Sequence, residues 1–156
     1  MNLSPHFTMA ELTRTSRSGF EDEQANPPAS AKDALGALCT TILEPIRAKF
    51  GPVSVHSGYR SPALNAATPG ASKTSQHSLG QACDLHCPNA TLQEVFDWIR
   101  FDSKLPFGQV ILEGHDAGHP TWVHVSLGKP YRAGTCGEVL VCYAGHYSVA
   151  PAGRLS

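Results

Sequence analysis

Apolar residues in this chain recur first at helical spacing and then, past residue 52, mostly at strand spacing. Over residues 31–50, Leu35, Leu38, Cys39, Ile42, Leu43, Ile46 and Phe50 recur at intervals of three and four, which puts them on one face of a helix. Pro45 predicts a bend in that helix, and Gly51-Pro52 a stop. Upstream, Thr8-Met9-Ala10-Glu11 has the capping-box pattern, so a short helix is expected to about Thr15. Residues 16–30 are polar and carry Gly and Pro. They read as a surface loop, in which Pro27-Pro28 exclude helix.

Residues 53–57 alternate and predict a strand, with His56 on the opposite parity from Val53 and Val55. Gly58-Tyr59-Arg60-Ser61-Pro62 reads as a turn, and residues 63–73, small and polar, as irregular chain. Residues 75–80 are turn-like. Residues 81–86 then alternate, with Ala82, Asp84 and His86 on one face and Cys83 and Leu85 on the other. Thr91-Leu92-Gln93-Glu94 is a second capping box, and Leu92, Val95, Phe96 and Ile99 give its helix an apolar face. Pro106-Phe107-Gly108 closes that stretch, and strands are expected over residues 109–113 and 121–127. The loop between them carries His115, Asp116 and His119. In the second of these strands Trp122, His124 and Ser126 share a face, and Val123, Val125 and Leu127 take the other. A closing hairpin is expected from residues 139–143 and 146–149 around Ala144-Gly145.

Parity is what makes His124 a candidate for chemistry. The apolar set already occupies the other face of its strand, so the imidazole is not needed as core. His77 and Asp84 are separated by a change from turn to strand, which lets the two converge. Taken alone, that pair equally fits a surface His beside a strand Asp that caps a turn. With His124, the set becomes two imidazoles and one carboxylate, the kind of ligand set that catalytic zinc sites use with a fourth position left for water. Glu113 ends the strand before that of His124 and is a candidate base. Arg60, held in a turn after a strand, offers fixed donors for a carboxylate or an oxyanion.

These pieces resemble the zinc D-alanyl-D-alanine carboxypeptidase family. The similarity runs from Phe7-Thr8-Met9-Ala10-Glu11-Leu12 through Ser57-Gly58-Tyr59-Arg60-Ser61-Pro62 and Leu64-Asn65. It continues through Ser75-Gln76-His77, Gly80, Ala82 and Asp84 to Gln109-Val110-Ile111, Glu113 and Trp122-Val123-His124-Val125-Ser126. The resemblance implies an α+β fold, a small antiparallel sheet with helices packed on one side. It implies zinc held by His77, Asp84 and His124, with Arg60 contacting the substrate or the tetrahedral intermediate and Ser75 lining the site. Trp122 and His119 complete the expected substrate-binding set. The sequence departs from the family at one point. Several relatives place an acid three residues before the last His ligand, and Thr121 stands there. Glu113 is taken as the base because a variant of the family carries Glu at that position, with His119 and Asp116 as rivals.

Bulk properties narrow the function further. The 156 residues fit one domain, with an amino-terminal helix and loop over residues 1–30 and a core over 31–156. An apolar content of 41% against 16% charged excludes a disordered chain, and a net charge of −1 gives no field for nucleic acid. No membrane span and no signal peptide are visible, so a monomer made in the cytoplasm is expected, reaching the cell wall by phage lysis, a phage tail or another export route. The five cysteines show no zinc-ribbon spacing. They are expected mostly as thiols, although Cys136 and Cys142 could meet across the closing hairpin. The expected activity is hydrolysis of a peptide bond in peptidoglycan stem peptides, either D-Ala-D-Ala or L-Ala-D-Glu. The rival readings are a non-catalytic, zinc-containing module that binds cell wall or a phage tail, and a cytosolic metal-binding domain.

Overall fold

The computed structural model describes residues 1–114 and 120–155. His115, Asp116 and His119 lie outside them. Both capping boxes form. Thr8 caps α1 (Met9–Thr13), with the Thr8 amide on Glu11 Oε2 at 2.8 Å. The loop expected over residues 16–30 holds a helical turn, α2 (Glu21–Ala25), and α3 (Ala29–Leu38) already starts after the cap residue Pro28. Buried Gln24 is the reason for the turn. Its amide donates to the carbonyl oxygens of Thr13 and Tyr59 and its oxygen accepts from the Ser61 amide, at 2.6–3.1 Å, tying α2 to the loop after the first strand.

The long helix continues through a π-turn at Cys39–Leu43 into α4 (Glu44–Phe50). Where the sequence predicts a bend at Pro45, the structure has this wider turn just ahead of the proline. A proline cannot donate to the preceding turn and its ring crowds the carbonyl four residues back, and a wider turn just before it relieves both. Leu35, Leu38, Ile42, Leu43 and Ile46 are fully buried. At about 1.5–3 kcal/mol for each such side chain, this face anchors the helical layer.

β1 (Ser54–Ser57) leads into α5 (Pro62–Ala67), where irregular chain is expected from the sequence. Ser61 caps this helix and Pro62 occupies its first turn, a placement that suits proline because its missing N–H has no partner there. A 3-10 turn at Gln76–Leu79 precedes β2 (Ala82–His86). Then come α6 (Leu92–Asp97), extended by a π-turn at Trp98–Asp102, and β3 (Phe107–Gly114). β4 (Pro120–Leu127), β5 (Glu138–Tyr143) and β6 (His146–Val149) complete the set.

Among the described residues six strands form one sheet, in the order β1-β2-β4-β3-β5-β6. All neighbours are antiparallel except β3 and β5, so the fold is α+β as expected, with one parallel pairing inside the sheet. Alternation divides the two faces. Cys83, Leu85, Val110, Leu112, Val123, Val125 and Val141 turn toward the helices and join their side chains in one core. Asp84, His124, Trp122 and Glu113 take the other face. All five cysteines are unpaired, and the pairing of Cys136 with Cys142 does not occur. Cys142 is buried within β5, whereas Cys136 lies before that strand, so the two do not oppose each other across the hairpin.

Candidate metal centre

Cross-strand register brings the first two donors together. Asp84 on β2 is the direct partner of His124 on β4. The third donor, His77, arrives from the 3-10 turn. Ser75 caps that turn by accepting from the His77 amide at 3.2 Å, and Gly80 ends it with a left-handed backbone, φ +70°. The turn is sewn to the end of β1 from both sides. His77 Nδ1 donates to the Gly58 carbonyl at 2.8 Å, and the Arg60 amide donates to the His77 carbonyl at 3.0 Å. Engaging Nδ1 with a carbonyl fixes the proton there and leaves the Nε2 lone pair facing the other two donors.

The three donor atoms form a small triangle. His77 Nε2 is 3.3 Å from both His124 Nδ1 and Asp84 Oδ1, and His124 Nδ1 is 2.9 Å from Asp84 Oδ1. For zinc with ligand bonds near 2.0–2.1 Å, tetrahedral geometry separates adjacent donors by about 3.3 Å. The triangle therefore fits a zinc ion with little adjustment. Its side chains are buried, with His77, Asp84 and His124 exposed by 4%, 8% and 8%.

Electrostatics suit a cation as well. Burial raises the pKa of Asp84, but the neighbouring His77 and the hydrogen bond and charge of His124 outweigh it and hold the carboxyl well below the usual carboxylate range. Burial lowers the pKa of His124 more than Asp84 raises it, which favours the neutral imidazole that binds metal. Glu113 behaves in the opposite way from Asp84. Burial, then the charge of Asp84, push it up to about 7, against the lowering effects of His77, the Trp122 hydrogen bond and Arg60. A carboxylate poised there can take up and release a proton near neutrality.

The structure thus gathers His77, Asp84 and His124, and sets Glu113 beside Trp122, its register partner on β4. Arg60 Nη1 donates to Asn65 Oδ1 at 3.0 Å, and its charge reaches both Glu113 and His124. Ser75 serves the His77 turn as its cap. Three contributors escape notice in the sequence. Asn65 anchors Arg60 and donates to the Ser72 carbonyl at 2.9 Å, the Gly58 carbonyl orients His77, and the Cys142–Tyr147 pair lies beside Glu113. Tyr147, whose pKa burial and then Glu113 push up to about 12, hydrogen-bonds Cys142. Asn65 had a signal in the Leu64-Asn65 match. A backbone carbonyl and a residue brought in by a parallel pairing leave none.

Two imidazoles and a carboxylate around one ion position, beside a carboxylate poised near neutrality, define a candidate single-metal hydrolase. A family model described as peptidase M15 matches residues 5–126, and the chain belongs to that family of zinc-dependent peptidases. The matched segment contains all the residues of the donor triangle together with Arg60, Ser75, Glu113 and Trp122. No curated protein matches the chain.

Proposed function

We propose that the protein hydrolyses a peptide bond in peptidoglycan stem peptides, at D-Ala-D-Ala or at L-Ala-D-Glu, with zinc held by His77, Asp84 and His124. The reading is carried by the triangle of buried donors with Glu113 beside it. A zinc ion bound there lowers the pKa of water to about 7 and polarises a carbonyl. Glu113 takes the proton of the attacking water and delivers it to the leaving amine, a use that suits a carboxyl raised to about 7. Arg60, steadied by Asn65, stabilises the developing oxyanion or holds a substrate carboxylate. Trp122 lends an apolar wall beside the base. Substrate roles for Ser75 and His119 belong to the same reading, Ser75 through the turn that carries His77. The working unit in this reading is a monomer. The site of action is the cell wall.

The test separates chemistry from binding. Glu113→Ala is expected to lose turnover of muropeptides while keeping zinc and affinity for isolated cell wall. Retained turnover would remove Glu113 as the base, whereas wall binding without turnover in the wild type as well would support a non-catalytic wall- or tail-binding module.

A further inference from the structure

Along the edge of the sheet, a second pair of imidazoles converges outside the donor triangle. His56 Nε2 lies 2.6 Å from His86 Nδ1, with ring centroids 4.8 Å apart. β1 carries a bulge at this point. Ser54 pairs with His86 and Val55 with Leu85, but Ser57 rather than His56 pairs with Asp84. Alternation puts His56, like Ser54, on the face that His86 shares, and the extra residue takes it out of register with Asp84. His56 is exposed and His86 half-buried, so solvent ions reach both. Trp122 stands next to them, its ring centroid 6.5 Å from that of His56.

We propose that His56 and His86 form a second, exchangeable site for a divalent late-transition-metal ion such as nickel, copper or zinc. Two imidazole nitrogens are the protein ligands and water completes the shell. Imidazole is a good ligand for all three ions. Metal–nitrogen bonds near 2.0–2.1 Å put two ligand nitrogens about 2.9–3.4 Å apart, so the exposed His56 ring need retreat only a few tenths of an ångström. The site has two neutral, accessible ligands where the triangle has three buried ones including a carboxylate. It therefore binds more weakly and fills second. His86 follows Asp84 by two residues on the same face of β2. If the donor triangle is the peptidase site proposed above, an ion held beside Trp122 obstructs access to it, and excess metal inhibits hydrolysis.

Nickel titration of protein carrying one equivalent of zinc tests the site without reference to activity. Bound nickel quenches the nearby Trp122 indole, while Trp98 packs against Phe50 in the helical layer. The expected result is saturable quenching at one nickel per chain with the zinc retained. His56→Ala, His56→Gln and His86→Ala should each weaken nickel binding by at least about tenfold, an effect carried by loss of one of two ligands. His77→Ala should keep the quenching. Because His56 is exposed, its two variants are expected to fold, which circular dichroism checks. Unchanged nickel affinity in both His56 variants, or quenching only as zinc is displaced, would overturn the proposal whatever the fate of the peptidase reading.

Discussion

Glu113 and Asp84 lie on one face of one sheet, yet their environments drive them apart. Asp84 has two imidazoles against it and stays ionised. Glu113 has burial and the Asp84 charge against it and is raised from 4.5 to about 7. That difference has a consequence for the metal-free protein. The folded state holds the Glu113 proton more tightly than the unfolded state does. Below about pH 4.5 both states are protonated, and the shift has no effect. As pH rises from there to about 7, the unfolded state ionises first and the folded state loses relative stability, by up to about 3 kcal/mol. Urea unfolding of chelator-treated protein at pH 5 and pH 8 measures this. Wild type should lose stability relative to Glu113→Gln at the higher pH, and parallel behaviour of the two would contradict the burial argument. The position of Glu113, near the end of the strand before that of His124, was legible in the sequence. Its raised pKa was not, because it arises from burial in the folded sheet and then from Asp84, a residue of another strand.

At the scale of elements, the turn before β2 and the carboxyl end of α6 are the most informative. A Cβ on Gly80 would sit 2.4 Å from the Ala31 carbonyl oxygen, and the residue already holds φ +70°. Gly80→Ala therefore combines left-handed strain with a backbone clash, and a loss of about 2 kcal/mol or more is expected in urea unfolding. A midpoint equal to wild type would show that the turn relaxes freely. After α6, Arg100 lies against Asp97 at 2.9 Å and between the rings of Phe96 and Phe101. It donates to the carbonyls of Pro151 and Gly153 at 2.7 Å. Both members of this ion pair are almost fully buried. Removing one partner of such a pair costs about 3 kcal/mol or more. Arg100→Ala should destabilise the protein by that order and expose residues 151–155 to limited proteolysis, whereas unchanged stability and cleavage would show that the tether is incidental. Both capping boxes, the long helix and the strands were readable because their signals are local. The α5 helix was missed although Ser61-Pro62 is a cap followed by a first-turn proline, a signal masked by the Gly and Pro of the preceding turn. The π-turn at Cys39–Leu43 answers to Pro45 and could be expected only as a bend.

For the whole molecule, the strand order is what makes a centre out of distant residues. β2 and β4 are neighbours in the middle of the sheet although α6 and β3 separate them in sequence, so Asp84 and His124 oppose each other directly. Helices cover one face, and the other is left for the donor triangle, Glu113 and Trp122. The convergence of His77, Asp84 and His124 was legible through the resemblance to the carboxypeptidase family, whereas spacing alone left His77 and Asp84 as a pair open to a structural reading. The parallel pairing of β3 with β5, which brings Cys142 and then Tyr147 beside Glu113, depends on contacts too distant in sequence for any local pattern to announce. We propose that this zinc-dependent peptidase acts on the cell wall. This activity is tested most directly by mass spectrometry of purified muropeptides incubated with zinc-loaded protein, with chelator-treated protein, and with treated protein given zinc again. The expected result is cleavage at one kind of stem-peptide bond, its loss on chelation and its return with zinc. Intact muropeptides in the loaded sample, or cleavage indifferent to the chelator, would contradict it.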